Sequence, residues 1–490
     1  KNIYITTPIF YVNAGPHIGH LYTAVLADTI ARFNAMLGHS VFLSTGTDEH
    51  GTKVQKAANK AILSTFEYCT QISHQFQEMC DIFQVKYSKF IRTTEEQHQN
   101  AVLHFWNCLE KNGHIYRGKY SGWYNISEET FISDKIKKGC IIESGDTIEW
   151  MEEDSYKFRL TSFKDQLKYW LKNAENVIEP AIYRKILIPW LEELQDLSIS
   201  RPISRVPWAI PTPSDKSHTI YVWLDALVNY LTSVGYPNNS FKEFWPPTVQ
   251  VNVFTLICSN NKTQDLRNHY TNIIGKDILK FHGIYWPAFL MAAGLEPPKK
   301  LICHGHWAVK DKKMSKSKGN VISPFIAMND FTQDGLRYFL LRQAILDTDA
   351  IYLDYNKSKV RKILNSELAD TLGNLVNRCF DGIIYNSIEY KSILNSELAV
   401  KNIKILENLS EEARKCYEKS DLYHVVDHVM DMLRSANQVF AYYEPWNLSK
   451  SKDLNSEKQV EAVISLILEN LRVAALVLYP IIPQLSSNLL

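Results

Sequence analysis

His17 and His20 lie three residues apart around Gly19, and Lys313 and Lys316 lie three apart much later in the chain. The histidines open an apolar-periodic stretch, so they project from nearly one face of a helix start. A helix N-terminus carries unbonded N–H groups and the positive end of a dipole, which suits an anion. The lysines stand in Lys313-Met314-Ser315-Lys316-Ser317-Lys318-Gly319-Asn320, a loop of small polar residues. Mobile ammoniums act as point charges on phosphate oxygens, and a flexible loop can close on a triphosphate and reopen as pyrophosphate leaves. Both segments therefore suit the triphosphate of ATP, with electrostatic stabilisation strongest at a pentacoordinate α-phosphate. Taken singly, each has a plainer reading: two histidines capping a helix, and a solvated basic loop.

The surrounding pattern supplies elements to hold them. Ile3–Thr6 reads as a buried strand, Asn13, Gly15 and Pro16 as a loop, and Ile18 to Leu37 as a helix of period 3.6 ending at Gly38. Ser40–Ser44 reads as a second strand, with a further helix opening at Thr47-Asp48. This order begins a doubly wound parallel sheet. From Asn112 to Arg205 short strands and glycines replace it, followed by a helical stretch over Thr161–Asn173, as in an inserted domain. The α/β pattern resumes at Thr219–Asp225 and Asn272–Asp277. After Tyr355 the chain reads as an antiparallel helix bundle. The expected domains are 1–111 and 206–300 for the two halves of the sheet domain, 112–205 for the insert, 301–355 for the lysine loop region and 356–490 for the bundle.

Composition narrows the class. A chain of 490 residues is too long for one ordinary core. With 45% hydrophobic and 22% charged residues it is globular, and no apolar run is long enough to span a bilayer, so no membrane partner is expected. Net charge is only +1, so contact with nucleic acid must rest on local patches such as Lys310–Lys318. Eight scattered cysteines form no Cys-x-x-Cys pair, which suits a reducing compartment and gives no zinc knuckle. Lys1–Thr7 reads as a strand with no signal-peptide pattern, and a chain trimmed at its ends is expected. A cytoplasmic monomer is expected, with an organellar location left open.

The histidine and lysine segments together resemble the two signature motifs of class I aminoacyl-tRNA synthetases. Further blocks resemble the methionyl-tRNA synthetases over essentially the whole chain. They are Pro8–Asn13, Thr45–Gly51, Tyr221–Ala226, and Gly275–His282 continuing to Trp286-Pro287. The resemblance implies a Rossmann-like catalytic domain with an inserted connective domain and an all-α anticodon-binding bundle. It implies that His17, His20, Lys313 and Lys316 are catalytic and that Gly19, Gly275, Asp277 and Lys316 bind ATP with Mg2+. It implies a methionine pocket of Ile9, Tyr11, Trp223, Ala226, Tyr230, Ile278 and His282, with Asp48 on the α-ammonium. It also implies that Asn374, Arg378 and Trp446 contact anticodon bases. The expected partners are methionine, ATP and tRNA(Met). The chemistry is reasonable: aromatic edges favour a thioether, a fixed carboxylate suits an ammonium, and an exposed ring can stack on an unpaired base. Plain core packing for Trp223 and Ile278, an N-cap role for Asp48, and a bundle-packing Trp446 are the competing readings.

Three departures stand out. The Tyr120–Asn125 region lacks the cysteine pairs many relatives carry, and Cys140 stands alone, so no structural zinc is expected. The stretch Val251–Asn272 is longer than the family's usual link. Leu227 replaces a proline found in some relatives. Among rivals, leucine, isoleucine and valine enzymes need a larger editing insert, and a cysteine enzyme needs zinc ligands near the first motif. A small-molecule nucleotidyltransferase needs no helical half, and an inactive tRNA-binding relative need not keep both motifs.

Overall fold

The computed structural model describes residues 1–125, 130–132, 148–173, 177–245, 268–309, 312–313, 321–343, 352–379, 390–451 and 453–490. It divides into two compact units. One comprises residues 1–15, 44–77 and 88–302; the other comprises 16–43, 78–87 and 303–490.

The first unit is built on a seven-stranded sheet. In chain order the early elements are β1 (Asn2–Thr6), β2 (Phe10–Tyr11), α1 (Ile18–Met36, which belongs to the second unit), β3 (Ser40–Asp48), α2 (Thr52–Lys60), α3 (Thr65–Ile82), β4 (Lys89–Arg92) and α4 (Glu96–Lys111). There follow β5 (Ile115–Asn125), β6 (Thr130–Ile132), β7 (Ile148–Phe158), α5 (Lys164–Asn173), β8 (Ile178–Glu179), α6 (Ala181–Glu192) and β9 (Leu197–Ser198). Then come β10 (Ser200–Pro202), β11 (His218–Ile220), α7 (Val222–Thr232), β12 (Asn268–Gly275) and β13 (Lys300–His304). The sheet order is β2-β3-β1-β12-β13-β8, with β4 also on β3. β1 runs parallel to β12, β2 and β4 to β3, and β8 to β13. Buried β1 and β3 are near-continuous apolar or Thr-rich runs, as a sheet covered on both faces requires.

One expected boundary is corrected. β3 does not end at Ser44; it runs through Asp48, and the next helix opens only at Thr52 behind Gly51. Thr45 and Thr47 favour extension, and Gly46 lets β4 approach closely. A Cβ there would collide with the Ile91 carbonyl oxygen. Gly51, at φ +108°, makes the turn that an L side chain rarely adopts. Asp48 is thus a strand-end residue and not a helix cap.

The expected insert contains a four-stranded sheet of order β6-β5-β7-β9, with β5 and β7 antiparallel along eleven residue pairs. Cys140 and residues 251–267 of the unusual link lie outside the described residues; Asn268–Asn272 belong to β12. No helix among the described residues is long and apolar enough to cross a membrane.

In the second unit α1 is nearly all buried. It is braced by a fully buried polar cluster. Asp28 accepts from Arg32 at 2.7 Å, from Arg337 at 2.7 Å and from the Lys86 backbone N–H at 2.8 Å. Arg337 also donates to the carbonyls of Phe83, Pro480 and Ile481. The long helices Glu397–Glu418, Leu422–Tyr443 and Leu454–Leu478 form the expected bundle. Asn402 and Asn470 exchange amide hydrogen bonds at 3.1 and 2.9 Å inside it. Ahead of Asn374 the segment Leu364–Gly373 is wound as a π-helix.

Candidate functional site

In the second unit the two histidines cap the helix they open. His17 Nδ1 accepts from the Gly19 N–H at 3.1 Å, and His20 Nδ1 accepts from the His17 N–H at 3.1 Å. Their rings stack with centroids 3.7 Å apart. Accepting at Nδ1 puts each ring's proton on Nε2, so both neutral imidazoles are of the form that donates to a phosphoryl oxygen. The capping and phosphate-binding readings are therefore compatible. The next N–H of the helix, that of Ile18, donates to the carbonyl of Ile322 at 3.0 Å. Ile322 lies two residues beyond Asn320, so the chain leaving the lysine motif is tied to the start of the histidine helix. Further along α1, Thr23 Oγ1 lies 2.9 Å from His304 Nε2, and Tyr22 meets Trp307 edge-on. Lys313 sits on the short strand Lys312–Lys313, antiparallel to His306–Val309. Lys316 lies outside the described residues.

In the first unit the proposed amino-acid residues form two groups. Tyr11 and Asp48 are register partners on adjacent parallel strands, with Ile9 just ahead of β2, and the Val12 N–H donates to the Asp48 carbonyl at 3.1 Å. The second group joins α7 to the segment after β12. Trp223 is the second residue of α7, not a strand residue, and its ring stacks on Phe281 at 3.5 Å and 11°. Tyr230 Oη lies 2.7 Å from His282 Nε2, while His282 Nδ1 lies 2.9 Å from the Ile278 carbonyl. Because a carbonyl only accepts, the His282 proton is on Nδ1, and the tyrosine donates to Nε2. Burial pushes the His282 imidazole down to about 4, so it is neutral at physiological pH. Ala226 lies buried between Trp223 and Tyr230 along α7. Ile278 is in the single turn Lys276–Ile278, not on a strand. Gly275 ends β12, and Asp277 is exposed in that turn.

The structure adds residues that motif reading passed over. Glu49, buried beside Asp48, takes a two-pronged ion pair from Arg92 at 2.7 and 3.1 Å, with Thr47 and Thr94 hydroxyls also donating. His50 and His98 both bind Asp225, which is fully buried on α7. Burial alone would raise that carboxyl, but the two imidazoles hold it down at about 2. Buried Arg201 stacks its guanidinium 4.5 Å over Tyr221. One signal was available: Asp225 is the lone charge in the apolar run Val222–Val228, and a carboxylate in such a run needs partners.

On the bundle, Asn374 and Arg378 are exposed one turn apart on the helix Asn374–Cys379. The Arg378 guanidinium lies 6.0 Å from the Phe440 ring, and Phe440 lies 5.7 Å from Trp446. Trp446 is 48% exposed, which is not a packed core ring. The helix Leu422–Tyr443 ends at Glu444 in a left-handed cap, and Pro445 begins the next short helix. Glu367, in the π-segment ahead of Asn374, accepts from Tyr338 Oη at 2.6 Å and from Arg342. Among the described residues no group of three His, Cys, Asp or Glu could hold a metal ion.

The parallel sheet of the first unit and the reciprocally capped histidine helix of the second each suit a class I synthetase. Residues 3–144 and 136–380 match the family tRNA synthetases class I (M), and the chain belongs to that family. Within it the relatives are methionine–tRNA ligases. A mitochondrial methionine–tRNA ligase of Homo sapiens is 42% identical over 522 residues, spanning 99% of this chain and 83% of the relative. A probable mitochondrial methionine–tRNA ligase of Dictyostelium discoideum is 41% identical over 513 residues, spanning 100% and 85%. The fold superposes with a TM-score of 0.89 on Mycobacterium tuberculosis methionyl-tRNA synthetase in complex with methionyl-adenylate, at 32% identity and covering 100% and 93% of the two chains.

Proposed function

We propose that this chain activates methionine with Mg·ATP and transfers it to the 3′-terminal ribose of tRNA(Met). The observation that carries the reading is the presence in one chain of two features: a histidine-capped helix tied to the chain leaving the lysine motif, and an aromatic, thioether-compatible wall of Trp223, Ala226, Tyr230 and His282. The methionine carboxylate attacks the α-phosphorus; the bond to pyrophosphate breaks, giving methionyl-adenylate. The 2′-hydroxyl of the tRNA then attacks the activated carbonyl, and AMP leaves. His17 and His20 donate through Nε2 to phosphoryl oxygens as charge develops. Lys313 and Lys316 neutralise the departing pyrophosphate. Gly19, Gly275 and Asp277 contact the nucleotide, and Asp48 holds the α-ammonium with Tyr11 and Ile9 beside it. Neutral His282 and the hydroxyl of Tyr230 offer a polar but uncharged surface to sulfur, which an ionised group would not. Catalysis is positioning and charge stabilisation, without a covalent enzyme intermediate.

Asn374, Arg378 and Trp446 read the anticodon by edge contacts and stacking. Mg2+ arrives with ATP, and no structural zinc is invoked. Both relatives named above are mitochondrial, which favours an organellar location over the cytoplasmic expectation. Imaging the tagged full-length protein checks that point. The activity is tested by ATP–pyrophosphate exchange with methionine, leucine, isoleucine and cysteine in parallel. Exchange with methionine alone is expected, and exchange with another of these instead would refute the pocket.

A further inference from the structure

Helix α7 carries two opposite faces with different partners. Trp223, Ala226 and Tyr230 fall within about 60° of one another around the axis at 100° per residue, and Asp225 and Thr232 fall on the far side. On that far side one imidazole spans two helical turns. His98, on α4, reaches Asp225 Oδ1 with Nε2 at 2.8 Å and Thr232 Oγ1 with Nδ1 at 3.0 Å. Contacts at two positions seven residues apart fix both the rotation of α7 and its position along its axis. The other carboxylate oxygen, Asp225 Oδ2, takes His50 Nδ1 at 2.6 Å. His50 is two residues beyond Asp48, and the intervening backbone is held at each step. Glu49 is clasped by Arg92, its carbonyl accepts from Trp208 Nε1 at 2.6 Å, and the Gly51 N–H donates to the Trp208 carbonyl at 2.9 Å.

We propose that His50, Asp225 and His98 form a positioning clamp that sets the separation between Asp48 and the α7 aromatic wall, and thereby the side-chain length the enzyme accepts. The inference rests on the methionine reading above. Its logic is one of directionality. Apolar packing tolerates sliding of a helix, whereas two charge-assisted hydrogen bonds on one carboxylate do not. One residue of slip moves a helix by about 1.5 Å, comparable to one methylene, and a misplacement of about 1 Å can cost 10²-fold in rate. The three clamp residues touch neither substrate; they act through Asp48 and through Trp223, Ala226 and Tyr230.

The test is steady-state pyrophosphate exchange on the full chain with methionine, ethionine (one methylene longer) and norleucine (no sulfur), for wild type, His50→Ala, His50→Gln, His98→Asn and Thr232→Val. In His50→Ala the methionine KM should rise about tenfold and preference for methionine over ethionine should fall by a similar factor, with the ATP KM unchanged. His50→Gln, which restores a donor, should recover part of the loss. Should His50→Ala not fold, Thr232→Val decides: it removes the second anchor of His98 and, with it, only the hydroxyl's own bond to the Val228 carbonyl inside α7, and it keeps the volume. A methionine KM raised about threefold or more at constant ATP KM is then expected. Unchanged methionine KM and selectivity in the folded variants would overturn the clamp while leaving the activity intact. Methionine and ATP KM values rising together would overturn it as well, since that marks general loosening. Absence of methionine-dependent exchange in the wild type would instead remove the activity and the clamp with it.

Discussion

The groups proposed to hold methionine and those proposed to read the anticodon are supported in opposite ways. On the amino-acid side, Tyr230, His282 and Ala226 are buried, and the residues behind them form a charged, hydrogen-bonded lattice. On the anticodon side, Asn374, Arg378 and Trp446 stand exposed on helices whose interior is largely apolar. The proposed ligands account for the contrast. A small side chain offers few atoms, so discrimination of about 1–3 kcal/mol per methylene depends on walls that do not move. An unpaired base offers a large flat face and its own edges, so an exposed ring and two polar side chains suffice.

The second unit is not without a rigid polar centre, but that centre lies along α1. Replacing fully buried Arg337 by Met leaves Asp28 with Arg32 as its one charged partner beside the Lys86 N–H, and the carbonyls of Phe83 and Ile481 lose their donor while Pro480 keeps only Thr29. A loss of about 3 kcal/mol or more is expected, read as a lowered urea midpoint. A loss under about 1 kcal/mol would erase the parallel between the two units.

A second prediction concerns acid. His282 titrates near 4 in the folded protein, against 6.5 as its ordinary value. Between those values the unfolded chain takes a proton that the folded one refuses. Stability therefore falls as pH drops from 6.5 to 4, by roughly 3 kcal/mol, and this contribution is level outside that window. Asp225 acts in a lower window. Its depressed carboxyl, about 2 against 3.8, contributes stability above 3.8 that is lost as pH falls through 2. Urea titrations of wild type and His282→Gln at pH 7, 5.5, 4.5 and 3 separate the two. The variant should lose the upper slope only.

Next in size, His20→Asn keeps an oxygen able to accept the His17 N–H but removes the Nε2 donor. Methionine-dependent exchange should fall about 10²-fold, with the melting temperature little changed. Equal loss of stability and activity would return the histidines to a capping role alone. Smallest, Trp446→Ala should raise the tRNA KM about 5- to 100-fold, the equivalent of one lost stacking contact, and leave pyrophosphate exchange unaltered. A matching effect on exchange would break the separation of the two regions.

Much of this was legible from short-range pattern. The Ile18–Leu37 period, the glycine at 38 and the long helices after Glu397 follow from residues close in sequence. The end of β3 was not, because Gly46, Thr47 and Asp48 extend the strand by pairing with β4 and β2. The motif blocks located Trp223 and His282, yet gave no sign of the Phe281 stack, which depends on two segments meeting in space. His98 was invisible for the same reason: nothing near it in sequence marks a histidine on α4 as a partner for Asp225, 127 residues away.

The bracing of α1 has a consequence for the making of the protein. Thr29 donates to the Pro480 carbonyl, a contact across 451 residues, and Arg337 must also arrive before Asp28 is satisfied. At about 5–20 residues per second on a ribosome, the helix is finished roughly 20–90 s before the last of those partners is synthesised. Through that interval Leu21, Val25, Leu26 and Phe33, all buried at the end, have no core to enter. The histidine helix is thus synthesised well before the partners that enclose it.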